Sequence, residues 1–391
     1  MRGIRLQHLA SPWADPDAYL SQMHPDHPVL FLSPPHLQSI ARRFIDGFDG
    51  LVSYAVKANE RAEVLAHLDA AGIGAFDVAS PAEMRAVRAV NAAAVLHYNN
   101  PVRSAAEVGA GVAADVASWV VDHHTELQKL DEVPRSAEIA VRFSLPVHGG
   151  AYDLGEQYGA TPAAAADLLR MVVDNGWQPA LCFHPGTQCT DAEIWATYIA
   201  EAARIAGQAG VRISRLNVGG GFAADRGHGQ PCDLETVFAR IRQATDASFG
   251  ADAPDLVCEP GRAMVAEAFT LAARIKGMRD GGRVVFLNDG IFGGLVDLRD
   301  VGLPGRVRVL SPDGKPRQGV ARSRRIFGPT CDSLDRLPDG LALAGDARIG
   351  DYVLFPAMGA YSIAMTTGYN GYGLRNVVTV LGLSGHSDPA V

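Results

Sequence analysis

The chain reads as α/β: a (β/α)8 TIM-like barrel followed by a C-terminal β-sandwich or β-barrel domain. Three observations predict it. Short apolar, β-branched runs alternate with amphipathic or alanine-rich segments, eight such units fill about 210 residues, and the rhythm changes near Thr270. The strand-like runs are Leu51–Val56, Ala75–Val78, Val95–Tyr98, Trp119–Val121, Ile139–Phe143, Ala180–Phe183, Leu216–Val218 and Leu256–Cys258. Helical patterns between them include Ala62–Ala71, Pro81–Val90, Pro162–Asn175, Asp191–Ala209 and Leu234–Phe249. An open doubly wound sheet is the alternative, but no GxGxxG follows its first strand. Beyond Thr270, Phe269–Arg274, Arg283–Leu287, Val307–Leu310, Arg324–Phe327 and Asp351–Phe355 read as strands with only Gly, Pro and Asp between them. The expected domains are 30–265 for the barrel and 1–29 with 266–391 for the β domain. The polar, proline-punctuated residues 1 to 29 are expected to lie against another domain.

With 391 residues and 48% hydrophobic content, the chain can bury a large core. Its 35 basic and 43 acidic residues give a net charge of −8 without long single-sign runs, which argues against nucleic acid as the partner. Met1 to Asp17 contains no apolar signal region, and no stretch is apolar enough to span a bilayer, so a cytoplasmic, non-membrane protein is expected. Five scattered cysteines (Cys182, Cys189, Cys232, Cys258, Cys331) lack CxxC spacing and read as reduced thiols, with no metal site.

Barrel active sites form at the C-terminal ends of strands, so each end is a place to look for chemistry. In order they carry Lys57; Asp77 with Glu83; Asn99 and Asn100; Asp122; Arg142; His184 with Gly186 and Thr187; Gly219-Gly220-Gly221; and Glu259-Pro260-Gly261-Arg262. A lysine at a strand end is usually a solvated cation, and a glycine run is often a plain turn. Together, however, the set suits one ligand. Three glycines let backbone N–H groups approach a phosphate, and Arg262 beside Gly261 offers a guanidinium to the same anion. Glu259, between apolar neighbours, needs a cationic partner such as a protonated ring nitrogen. His184 offers a flat ring for stacking or, equally, a hydrogen bond to loop backbone. Lys57 would be the amine that forms a Schiff base with an aldehyde. That combination describes pyridoxal 5'-phosphate (PLP).

The segments Tyr54-Ala55-Val56-Lys57-Ala58-Asn59, Phe183-His184-Pro185-Gly186-Thr187, Gly219-Gly220-Gly221 and Glu259-Pro260-Gly261-Arg262 resemble signatures of the ornithine/lysine/diaminopimelate/arginine decarboxylases. These are PLP enzymes with an alanine-racemase-like barrel (fold type III). Gly328-Pro329-Thr330-Cys331-Asp332, Gly359-Ala360-Tyr361 and Gly368-Tyr369-Asn370-Gly371 continue the likeness from about residue 30 to 380, in the family's order. The resemblance implies that Lys57 carries the cofactor and His184 stacks on its ring, while Glu259 holds the pyridine nitrogen protonated. Thr187, Gly219, Gly220, Gly221, Gly261, Arg262 and Tyr361 fall where the family binds phosphate. Asp77, Glu83 and Arg142 fall among the polar groups around the lysine. Thr187 stands where serine is more usual, and Pro185 where an aliphatic residue is.

The resemblance also implies a homodimer with shared active sites, in which Cys331 protonates the substrate carbon in the partner's site and Asp332 holds the distal amine. Tyr369 matches an aromatic position near the substrate. Cys-Asp-Ser, rather than the Cys-Glu-Ser of diaminopimelate enzymes, favours a chain ending in a plain ammonium, which is ornithine or lysine. A second acid in the loop after Asn288-Asp289-Gly290 is Asp300 by preference, with Asp297 as the other choice. Those readings imply a decarboxylase making putrescine or cadaverine, for instance in polyamine biosynthesis. A same-fold enzyme for another amino acid is the runner-up. A catalytically dead, protein-binding relative, as the antizyme inhibitors are, would be expected to lack Lys57 or the phosphate set, and both are present.

Overall fold

The computed structural model describes residues 12–147, 157–227, 233–338 and 340–383. The chain divides into two compact units: one of residues Gln38–Asp225 with Pro231–Met264, the other of the residues up to Leu37, Arg226–Gln230 and Val265 onward. Strand β1 (Val29–Leu32), read above as the start of the barrel domain, pairs with strands of the second unit instead. The break therefore falls after Leu37.

Eight parallel strands of the first unit close into a barrel in chain order: β2 (Leu51–Ala55), β3 (Ala75–Val78), β4 (Val95–Tyr98), β5 (Ser118–Val121), β6 (Glu138–Arg142), β7 (Gln178–Cys182), β8 (Arg215–Asn217) and β9 (Asp255–Cys258). Pairing of Leu51 with Val257 seals it. Strands buried on both faces read as apolar runs, which is why the sequence reveals them. Several ends shift by one or two residues. Ser118, Glu138, Gln178, Arg215 and Asp255 all open strands, because the ladder engages backbone whatever the side chain.

The helices between strands begin where local chemistry tells them to. Ser80 caps Pro81–Val90, with its hydroxyl accepting from Glu83 N at 3.3 Å, and Pro81 presets the first turn. Ser104 and Glu107 form a capping box on Ala105–Ala113. Thr161, Asp191 and Asp233 cap the three longer helices that follow. Inside the barrel, Val120, Ala140, Ala180 and Cys182 pack together. These are small side chains, so space remains above them.

The second unit is one eight-stranded mixed sheet. Its main path runs β12 (Arg308–Leu310), β15 (Tyr352–Pro356), β10 (Phe269–Arg279), β11 (Val284–Leu287), β13 (Arg322–Phe327), β14 (Leu341–Leu343), with β1 and β16 (Asn376–Thr379) joined beside β10. A register shift between Ile275 and Gly277 lets the long β10 serve both halves. Residues near the N-terminus are part of this unit's core: the helix Pro16–Met23 brings Leu20 against Val29, Phe31, Leu310, Tyr352 and Val380. Cys182, Cys189, Cys258 and Cys331 are free thiols. Cys232 lies outside the described residues, as does the stretch from Met1 to residue 11.

Candidate active site

A cavity of about 210 Å³ opens at the C-terminal mouth of the barrel. Lys57, Asp77, Asn99, Asn100, Arg142 and His184 line it, with Glu259. Each comes from the end of a different strand or the turn after it, except that Asn99 and Asn100 share β4. Lys57 sits in a short 3-10 turn, Val56–Ala58, that leaves β2. The Tyr54 hydroxyl donates to Asn59 O at 3.0 Å, and Ala55 N donates to Pro260 O at 3.2 Å, fixing that turn against the neighbouring strand end.

Two carboxylates face this cavity, Asp77 buried and Glu259 part-buried. Glu259 is pushed up to about 8, first by burial and then by the charge of Asp77. Burial also raises Asp77, against the pull of Lys57, Asn99 and Arg142. Glu259 Oε1 accepts from the side-chain amides of both Asn99 and Asn217. Its Oε2 accepts nothing among the described residues. Glu83, raised to about 7 mainly by burial, receives Ala79 N at 2.7 Å and holds the turn after β3. Asp122 receives Gly159 N at 3.0 Å, anchoring the segment that carries Tyr158 under the Arg142 guanidinium, 5.4 Å from the ring centre.

His184 is held well below its ordinary value by burial and by the positive charges of Arg142 and Lys57. Its Nδ1 accepts from Gly186 N at 3.1 Å, so the neutral ring keeps its proton on Nε2. A flat uncharged ring suits stacking.

The glycine run after β8 is built for close approach. A Cβ on Gly219 would stand 2.2 Å from Phe183 O, one on Gly220 2.6 Å from Glu259 O, and one on Gly221 2.2 Å from Gly186 O. Gly219 and Gly221 also have φ of +71° and +81°. Arg262 is buried and opens the short turn Arg262–Val265. Gly261 sits with its Cα against Ala55 and Ala58, where a Cβ would come within 3.3 Å of both side chains. Thr187 lies part-buried in the turn after β7.

These residues fit PLP. One mouth offers an amine, a neutral ring and a carboxylate with an oxygen to spare, and beside it the glycine run packs its backbone against the neighbouring strand ends. Comparison with known proteins agrees. The family model described as "Pyridoxal-dependent decarboxylase, pyridoxal binding domain" matches residues 36–266. The chain belongs to this family of PLP-dependent decarboxylases. The decarboxylase flvG of Aspergillus flavus is 30% identical, covering 82% of this chain and 77% of that protein. The lysine/ornithine decarboxylase of Selenomonas ruminantium is also 30% identical, covering 84% of this chain and 82% of its own. The crystal structure of an SrLDC mutant in complex with PLP aligns with a TM-score of 0.83 at 26% identity, over 97% of this chain and 96% of that one. The protein is therefore a PLP-dependent amino-acid decarboxylase with an alanine-racemase-like barrel.

Reading strand ends missed three members of this site. Tyr158 and Cys182 line the cavity, and Asn217 grips Glu259. Asn217 did leave a signal, an amide interrupting the apolar run Leu216–Val218.

The remaining expected residues lie in the β unit. Cys331 is exposed and holds a left-handed φ of 62°. Asp332 Oδ1 accepts Leu334 N at 2.9 Å. Next to them the buried Asp335 accepts from Ile291 N at 3.0 Å, Thr330 N at 3.0 Å and Thr330 Oγ1 at 2.6 Å. Asn370 Nδ2 donates to Thr330 O at 2.6 Å, and the Tyr369 ring lies 5.2 Å from Phe292. Three loops, 289–294, 328–335 and 367–370, are thereby tied into one cluster carrying Cys331, Asp332 and Tyr369. Asp300 is on the surface, paired with Arg299 at 2.9 Å, whereas Asp297 is buried. Tyr361 is part-buried with φ of 56°.

Proposed function

We propose that this enzyme removes the carboxyl group of L-ornithine, L-lysine or both, giving putrescine or cadaverine and CO2. The observation that carries the reading is the cavity in which Lys57, His184 and Glu259 converge, with the glycine run packed beside it, where a Cβ on Gly220 would stand 3.4 Å from His184 Nε2. PLP, when bound, supplies the sink for the electron pair that CO2 leaves behind. Lys57 would hold the cofactor as the amine that meets its aldehyde. Glu259 keeps a proton on the ring nitrogen, and each pKa unit by which it does so is worth about 1.4 kcal/mol. The glycine run, Gly261, Arg262, Thr187 and Tyr361 receive the phosphate, while Asp77 and Arg142 set the charge around the lysine.

Cys331 gives a proton to the substrate carbon of the partner subunit, and Asp332 receives the distal ammonium, so the working form is a homodimer. The exposed, left-handed Cys331 and the loop cluster that presents it support this. Of the two loop acids, Asp300 remains the one assigned to the amine, although its ion pair with Arg299 must then open. Diamines of this kind feed polyamine synthesis, and a cytoplasmic enzyme of that synthesis is the role we assign. Among the described residues no helix is long and apolar enough to cross a membrane.

The test is CO2 release with ornithine, lysine, diaminopimelate and arginine in parallel. Turnover of ornithine or lysine at least about tenfold above the others, roughly the discrimination of one pocket contact, supports the proposal. Turnover confined to diaminopimelate or arginine overturns it.

A further inference from the structure

Glu259 is held by two amides from distant strands. Asn99 follows β4 and Asn217 ends β8, and both donate through Nδ2 to the same oxygen, Oε1. Asn99 lines the cavity beside Asp77. Asn217 Oδ1 accepts Gly219 N at 2.9 Å. Glu259 N in turn donates to Gly219 O at 2.9 Å. The carboxylate and the first glycine of the phosphate cradle are therefore clasped twice, once through backbone and once through Asn217.

An arrangement needed only to neutralise a buried carboxylate would serve both oxygens. Here Oε1 takes both donors and Oε2, on a residue lining the cavity, takes none among the described residues. The asymmetry assigns the free oxygen to a donor that arrives with a ligand. Two N–H donors favour the ionised carboxylate, since each charged hydrogen bond offsets part of the cost of burial.

We propose that Asn99 and Asn217 are positioning residues for PLP. By occupying Oε1 they present Oε2 to the ring nitrogen, and Asn217 fixes that oxygen relative to the glycine run that receives the phosphate. The proposal rests on the reading of Glu259 and the glycine run given above. It adds that affinity and ring protonation depend on two amides acting through Glu259.

The experiment uses the full-length protein, stripped of cofactor and titrated with PLP. Wild type, Asn217→Leu and Asn99→Leu are followed by the visible absorbance of bound cofactor and by quenching of tryptophan fluorescence. Both variants are expected to bind PLP about tenfold more weakly, the loss that one charged hydrogen bond represents, with Asn217→Leu the weaker binder. The absorbance of what they do bind should shift towards the unprotonated ring at fixed pH. A variant damaged only in packing would melt earlier yet keep the wild-type spectrum. If Asn217→Leu does not fold, Asn99→Ala, which only removes atoms from the cavity wall, carries the test. Wild-type dissociation constants and spectra in the variants overturn the proposal. A wild-type protein that shows no PLP band would instead overturn the reading on which it rests.

Discussion

The two ends of the barrel bury charge in opposite ways. At the N-terminal end, Glu138 accepts Ser118 Oγ at 2.7 Å and pairs with Arg215 at 3.4 Å. Burial raises this carboxyl, but a full cation from β8 and a hydroxyl from the neighbouring β5 answer it. At the C-terminal mouth, Glu259 and Asp77 lie close enough to raise one another's cost, and neutral amides take the place of a direct cationic partner on Glu259. The first end is finished by the protein alone. The second is left incomplete, and incompleteness at a buried carboxylate is the mark of a site waiting for a charged ligand. Mutations should therefore separate the ends: activity should fail at the mouth and stability at the base.

The largest effect should come from Lys57→Ala. Turnover should drop by about 10⁴-fold or more, as for other enzymes stripped of a covalent catalyst, and the visible PLP band should disappear. An unchanged band in this variant would mean the cofactor is held by another amine. Glu259→Gln should follow, lowering kcat by about 10²-fold through loss of the charge that keeps the ring protonated. KM should move much less, since Glu259 acts on the cofactor and not on the substrate. Next, Gly219→Ala should destabilise the fold by about 1–3 kcal/mol, because the new methyl meets Phe183 O in a left-handed residue. It should also weaken PLP binding. At the base, Glu138→Gln should cost about 1 kcal/mol in denaturant unfolding and leave kcat within about twofold, as expected for a partly exposed pair. Activity falling with Glu138→Gln as far as with Glu259→Gln would erase the contrast between the ends.

How much of this could be read from sequence follows the same division. The eight barrel strands were legible because both their faces are buried, which leaves an apolar run with little else in it. Their first residues were not: Ser118, Glu138 and Arg215 look like loop polarity until the barrel closes and they find one another. Lys57, Asp77, Arg142, His184 and Glu259 were legible as residues of one cavity because they lie at or just after strand ends, where one rule looks for them. Asn99 was visible there too, but its partner lies 160 residues away just after β9, and only the closed order of strands brings them together. In the β unit, β14 and β16 escaped notice because they are short, three residues (Leu-Ala-Leu) and four (Asn-Val-Val-Thr). The helix Pro16–Met23 did carry its signal, with Asp15 at the cap accepting from Ala18 N and Pro16 at the first turn. Its low apolar content hid it.

The smallest expected effect is on how stability changes with pH, and it tests the contrast without any substrate. In the ligand-free fold Glu259 titrates at about 8, above the ordinary 4.5, so folding takes up protons there between those values. Stability from this group is full at low pH and lost as pH rises towards 8. Glu83 and, in the β unit, Asp289 add the same sign up to about 7. His97 has the opposite sign. Buried and pushed down to about 3, it binds fewer protons folded than unfolded, and it costs stability as pH falls below 6.5. Between pH 7 and 8 Glu259 still titrates in the fold, so the melting temperature of cofactor-free protein should decline across that interval. A loss of about 1 kcal/mol corresponds to about 2–4 °C for a unit of this size. Glu259→Gln should flatten the decline, and so should saturation with PLP, whose ring cation lets the carboxylate ionise within the fold. Glu138→Gln should leave it in place. A decline that survives both Glu259→Gln and PLP would mean that the uncompensated charge of this barrel lies somewhere other than its C-terminal mouth.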